Sequence, residues 1–150
     1  MHRILTIFFT LFSTFVFAQQ TTVDTISNDI ILKNFISQLA DPNIAPDVIL
    51  SQHVIIEEPS NDLYDYLEVS LEEIRINLLS KKLEDIQYIP FTKMSKKDIN
   101  DIDLGELPPE DVYFLYYQKR QVLAIYIENG KIGSFTLVPQ GNGKANFVLY

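Results

Sequence analysis

The chain has 150 residues, a formal net charge of −8 at pH 7 and no cysteine. The missing cysteines exclude disulfide staples and thiol chemistry, and the negative charge disfavours nucleic acid and anionic lipid surfaces as partners. A chain of this length forms a single domain around one hydrophobic core.

Residues 1–18 have the pattern of a signal peptide. Arg3 gives a positive start, an apolar run follows over residues 4–17, and Ala18 ends the run with Val16 two positions before it. A membrane-spanning helix needs about 20 apolar residues, so this run is too short to span and has the length of a signal-peptide core. We predict cleavage after Ala18, and an uncleaved anchor is the alternative.

Cleavage at this point leaves a flexible leader at residues 19–26 and a single domain at residues 27–150. The polar continuation Gln-Gln-Thr-Thr resembles that of exported bacterial proteins. We therefore predict a periplasmic or secreted protein of the bacterial envelope, with no membrane contact after cleavage.

Three helices are predicted in the first half of the domain. Residues 28–40 show an apolar stripe with helical spacing, and Pro46 opens a short second helix. Residues 61–83 give the longest stripe, formed by Leu63, Leu67, Leu71, Ile74 and Leu78. Because Ser70 and Glu73 also match a capping box, a start just after Ser70 is the alternative for this third helix.

The strands are predicted from β-branched, aromatic and alternating residues. They cover residues 53–58, 86–91, 111–118, 121–128, 131–138 and 145–150. Asn129-Gly130 predicts a two-residue hairpin, and we predict a second two-residue turn at Lys119-Arg120.

This register makes both sheet faces apolar. One face carries Tyr113, Leu115, Tyr117, Val122, Ala124, Tyr126, Phe135 and Leu137. The helices can cover one face, and the other needs the remaining chain, a ligand or a second copy of the protein. The predicted fold class is α+β, with N-terminal helices packed on a curved antiparallel sheet of four to five strands that ends in a C-terminal meander.

The order of elements over residues 28–150 resembles the NTF2-like and cystatin-like α+β folds: helices, one early strand, a longer helix and a C-terminal antiparallel meander. The resemblance includes no sequence motif. It implies a pocket between a curved sheet and the helices, and sheet faces that form dimers. These families include enzymes and binding modules, so the fold alone does not select a function. The Asp and His that NTF2-like enzymes place in the pocket match no motif here.

The candidates for catalysis and metal binding are few. His53 is the only histidine after the signal peptide, and no G-x-S-x-G elbow is present to supply a serine nucleophile. The acidic connector at residues 96–111 is rich in carboxylates but fits no EF-hand register. The sequence therefore predicts no metal site and no cofactor.

The leading hypothesis is an exported, non-enzymatic binding domain. Its binding surface would be an aromatic sheet patch made of Tyr113, Tyr117, Tyr126 and Phe135, because tyrosine combines apolar area with a polar tip. The partners would be a second copy through a sheet face, another protein or a small apolar ligand. Two alternatives stay open: an enzyme with an NTF2-like pocket that uses His53 or an acidic side chain as its base, and a calcium-stabilised envelope protein.

Overall fold

The three helices predicted from apolar spacing in the first half of the domain are present in the structure. The computed structural model describes residues 27–150 and has an α+β fold with helices first and strands in the C-terminal half. The predicted signal peptide and leader lie outside the described residues. The helices are α1 (Asn28–Ala40), α2 (Pro46–His53), α3 (Asn61–Leu78) and α4 (Lys96–Ile99). In the described part of the chain, no helix is both long and apolar enough to cross a membrane.

The start of α3 is fixed by a side-chain cap. The Ser60 hydroxyl accepts a hydrogen bond from the Leu63 N–H at 3.2 Å, so the helix begins at Asn61. The later start after Ser70 is wrong, because the Ser70 hydroxyl donates back to the Tyr66 carbonyl at 2.8 Å inside a continuous helix.

The second half forms one large and one small sheet. The strands are β1 (Gln87–Pro90), β2 (Val112–Tyr117), β3 (Arg120–Glu128), β4 (Lys131–Ser134), β5 (Leu137–Pro139) and β6 (Ala145–Phe147). Strands β1 to β4 are antiparallel and lie in sequence order, whereas β5 and β6 form a separate hairpin. Asn129 and Gly130 have φ of 48° and 77°, which confirms the predicted hairpin between β3 and β4.

The strand predicted at residues 53–58 is wrong. Helix α2 continues through His53, and only a short segment remains to run beside β4. That segment meets the sheet at one parallel bridge, between Val54 and Ile132, and the Ile55 N–H donates to the Ile132 carbonyl at 2.9 Å. These contacts partly cover the exposed edge of β4.

The predicted register between β2 and β3 is also wrong. The turn uses Gln118 and Lys119, with φ of 47° and 66°, so Tyr117 lies opposite Arg120. An irregularity between Leu115 and Tyr116 then shifts the pairing by one residue. Because a one-residue slip moves side chains to the opposite face, Tyr126 lies on the face away from Tyr113.

A second irregularity separates Phe135 from Tyr126. The pairs Ile127–Ile132 and Glu128–Lys131 are as predicted, but Tyr126 lies opposite Ser134 instead of Gly133. The Tyr126 ring fills the space above Gly133, where an added Cβ would lie 2.8 Å from the ring. Beyond this bulge, Phe135 joins the core on the helix side of the sheet.

The chain itself covers both faces of the sheet. Helices α1 to α3 pack on one face, and a second apolar cluster around Val112, Phe114, Ala124 and Tyr126 forms on the other. The second cluster is covered by side chains of the segment after β1, of the connector and of the β5–β6 hairpin: Phe91, Met94, Ile102, Leu104, Leu107, Leu137 and Phe147. The sequence allowed this face to be covered by the remaining chain, a ligand or a second copy of the protein. In the structure, the remaining chain covers it.

Candidate binding cleft

The structure does not bring the four predicted patch residues together on an exposed surface. Tyr126 and Phe135 are only 5 % and 4 % exposed and belong to different apolar clusters. Tyr113 and Tyr117 are partly buried on the helix side. Tyr113, Tyr117 and Phe135 thus share the helix side as predicted, but the prediction is wrong for Tyr126, which the register shifts on both sides of β3 place on the other face.

Tyr117 nevertheless lines a cleft of about 670 Å³ between the C-terminal end of α3 and the β2–β3 hairpin. Cavities that hold small ligands have volumes of about 300 to 1,000 Å³. The helix end contributes Asn77, Ser80 and Lys81. The hairpin contributes Tyr117, Gln118, Arg120, Gln121 and Val122.

The end of α3 holds the ammonium group of Lys81 in place. Its Nζ donates to the Asn77 carbonyl at 2.6 Å and to Asn77 Oδ1 at 2.7 Å. A cation is favourable here because the last carbonyls of a helix carry partial negative charge. The same Nζ lies 5.8 Å from the centre of the Tyr117 ring, within the range of a cation–π contact. Lys81 and Tyr117 therefore form a pre-arranged pair at one side of the cleft.

The β2–β3 turn sets the other side of the cleft. The left-handed backbone at Gln118 and Lys119 makes the turn tight, so Arg120 follows Tyr117 directly across the hairpin. Arg120 is exposed, and within residues 27–150 no carboxylate lies within ion-pair distance of it. Its guanidinium group is free to bind an oxyanion through parallel N–H donors.

The charge of this cleft differs from that of the chain. Within residues 27–150, its lining contains two cations, three carboxamide side chains and two hydroxyls, but no carboxylate, although the chain carries 20 acidic and 12 basic residues. Cations in a concave site concentrate a local positive potential even where the net charge is negative. The arrangement can therefore bind an anionic group, with the Tyr117 ring offering an apolar face beside it.

His53 has a different environment. Its ring packs edge-on against Phe35 at a centroid distance of 6.1 Å, and its buried Nε2 atom has no hydrogen-bond partner among residues 27–150. Burial, with a smaller contribution from the positive charge of Lys131, lowers the pKa of His53 below its ordinary value of 6.5. His53 does not line the cleft, so the geometry gives it no acid–base partner there.

The acidic connector forms ordered contacts with its surroundings. The Ser95 hydroxyl donates to Asp98 at 2.6 Å, and Asp103 accepts from the Gly105 N–H at 3.0 Å. The Ala145 N–H donates to the Asp101 carbonyl at 2.7 Å, which ties the connector to β6. In the described residues, no group of three or more His, Cys, Asp or Glu side chains is placed to hold a metal ion.

Sequence reasoning missed most of this cleft. One signal was present: Lys81-Lys82 and Lys119-Arg120 are basic pairs in an acidic chain. Only the fold shows that the end of α3 and the β2–β3 hairpin meet.

Comparison with protein-family models, curated proteins and solved structures gave no significant match. The NTF2-like or cystatin-like resemblance thus stays a prediction, and the function has to be inferred from the geometry of the chain itself.

Proposed function

We propose that the protein is an exported, non-enzymatic binding domain that takes a small anionic ligand in the cleft between α3 and the β2–β3 hairpin. The observation that carries this proposal is the lining: Lys81 and Arg120 are present and carboxylates are absent, in a chain with a net charge of −8. The ligand carries a carboxylate, phosphate or sulfate group and a face that packs on Tyr117.

The state of the other candidate residues supports binding over catalysis. His53 has a buried Nε2 atom without a partner and lies outside the cleft. A general base has to lie within hydrogen-bond reach of the proton that it removes. Tyr117 is the one residue of the predicted aromatic patch that lines the cleft.

The test uses matched charged and neutral sugars, so that charge is the only large difference within a pair. Galacturonate is compared with galactose, and glucose 6-phosphate and glucose 6-sulfate are compared with glucose, by isothermal titration calorimetry on the purified protein. We expect at least one anion to bind at least about tenfold more tightly than its neutral counterpart, and more weakly as salt is added.

A pair of variants locates the binding site. Arg120→Ala removes an exposed cation of the cleft, and we expect it to weaken anion binding about tenfold, which corresponds to the loss of one charge-assisted hydrogen bond. Lys97→Ala removes an exposed cation of α4 and is the matched control, with no expected change. Equal losses in the two variants would place anion binding elsewhere and contradict the proposal.

A further inference from the structure

Helix α3 is apolar on two sides. Leu67, Leu71 and Leu78 are buried against the other elements. The opposite side carries a row of four exposed residues at helical spacing, which we call the outer row: Tyr66, Val69, Ile76 and Leu79, with exposed fractions of 49 %, 60 %, 65 % and 68 %. The remaining large apolar residues that are exposed within residues 27–150 are Ile30, Val48, Val148 and Leu149. The outer row is therefore a concentration of exposed apolar area on a single element.

The exposed charges of α3 are all of one sign. Helix α3 contains five carboxylates, namely Asp62, Asp65, Glu68, Glu72 and Glu73. Its single cation, Arg75, is buried, donates to the carbonyls of Leu39 and Ile44, and forms an ion pair with Glu72 at 2.7 Å. At 100° per residue, Asp62, Asp65, Glu72 and Glu73 fall on the same side as the outer row. The outward surface of α3 thus combines apolar and acidic side chains without an exposed cation.

We infer that the outer row is a docking surface for a basic amphipathic helix of another protein. An apolar row among carboxylates is complementary to a partner helix whose Leu, Ile or Phe side chains recur every three to four residues between Lys and Arg. None of the four outer-row residues lines the ligand cleft, so the outer row is a second interaction site of the molecule.

A second copy of the chain is a poorer occupant than a basic helix. An antiparallel pairing of two α3 helices that sets Val69 against Ile76 also brings the exposed Glu73 carboxylates of the two copies close to each other. Like charges brought together in this way oppose association. A helix rich in Lys and Arg places cations at those positions instead.

The probe is a synthetic 18-residue peptide of Leu and Lys, arranged so that the leucines form one helical face. The control is a scrambled peptide of the same composition and charge, in which the leucines form no single helical face. Binding to the purified protein is measured by fluorescence anisotropy with labelled peptide. We expect the amphipathic peptide to bind at least tenfold more tightly than the scrambled one.

Substitutions in the outer row test where the peptide binds. Val69→Ser with Ile76→Ser removes apolar area from exposed positions and leaves the cleft residues intact, and we expect at least a tenfold loss of affinity. Val48→Ser with Leu149→Ser removes comparable exposed area elsewhere and is the control, with no expected change. The charge reversal Asp65→Lys with Glu73→Lys tests the same surface with the apolar row intact, and we expect a loss of at least tenfold.

Three results would overturn the proposal. Equal affinities for the two peptides would show general attraction between opposite charges. An unchanged affinity in the charge-reversed variant would place the peptide away from α3. A dimer in sedimentation equilibrium that is abolished by Val69→Ser with Ile76→Ser would assign the outer row to self-association.

Discussion

At the scale of single residues, Arg75 joins α3 to the last turn of α1 and to the loop between α1 and α2. Its guanidinium group donates to the Leu39 carbonyl at 2.8 Å, to the Ile44 carbonyl at 2.5 Å and to the Glu72 carboxylate at 2.7 Å. Arg75 is 7 % exposed, so water cannot readily replace it as the donor to these carbonyls. The residue fixes α3 against the other two helices.

Replacing Arg75 should destabilise the fold. We expect Arg75→Met to lower the free energy of unfolding by about 2 to 4 kcal/mol, because two buried carbonyl groups lose their donors. Arg75→Lys should recover only part of the loss, since one ammonium group cannot reproduce the planar fork. Urea denaturation measures both variants. Glu72→Gln, at the half-exposed end of the network, is the control and should cost less than about 1 kcal/mol; a similar small cost for Arg75→Met would show that Arg75 is dispensable.

His53 predicts a pH dependence of stability. Its pKa is lowered in the folded protein, by burial first and by Lys131 second, so the unfolded chain binds a proton near pH 6.5 more readily than the folded chain does. Stability is therefore fully present above pH 6.5 and is lost as the pH falls below 6.5 towards the folded pKa. His53→Gln carries no titrating group at this position. Urea midpoints at about pH 7.5 and 5.5 should differ more for the parent than for this variant, and equal differences would exclude His53 as the source.

At the scale of elements, the turn between β2 and β3 carries strain that a substitution can relieve. Gln118 and Lys119 both have positive φ, where glycine is favoured. We expect Lys119→Gly to stabilise the protein by about 0.5 to 1 kcal/mol, without changing the cleft lining. Gly130→Ala in the other hairpin is the inverse change, because Gly130 has a φ of 77°, and it should destabilise. Thermal denaturation of both variants shows whether the melting temperature rises for Lys119→Gly and falls for Gly130→Ala. A lower melting temperature for Lys119→Gly would contradict the prediction.

The helices and the number of sheet strands were predictable because their signals are local. The apolar stripe of α3, Pro46 at the start of α2 and Asn129-Gly130 each act within a few residues. The strand register was not predictable in the same way. The first tight turn lacks glycine, and the bulge beside Tyr126 depends on the packing of its ring over Gly133. Such contacts between strands override local preference.

At the scale of the whole molecule, the acidic connector has a structural role that its composition conceals. Ile102, Leu104 and Leu107 pack on the second face of the sheet, while Asp101, Asp103 and Glu106 stay exposed. This alternation explains how a strongly charged segment covers an apolar face. It also explains why a sheet that is apolar on both faces needs no second copy or ligand to cover it.

The same folding brings one cation from each of two basic pairs to one cleft. Lys81 lies just after the end of α3, and Arg120 lies in the β2–β3 hairpin. Neither local sequence contains information about the other, so the candidate site could be predicted only as far as Tyr117. The positive cleft and the acidic outer row of α3 give the molecule two surfaces of opposite character.

The most direct test of the binding role is an NMR titration of the uniformly ¹⁵N-labelled protein. One sample receives a mixture of galacturonate, glucose 6-phosphate and glucose 6-sulfate, and a second receives galactose and glucose at the same concentrations. Binding in the cleft predicts that the anions shift the amide signals of Ser80, Gln118 and Gln121, that the neutral sugars do not, and that Arg120→Ala removes the shifts. Unchanged cleft signals with the anions, or equal shifts with the neutral sugars, would contradict the proposed function.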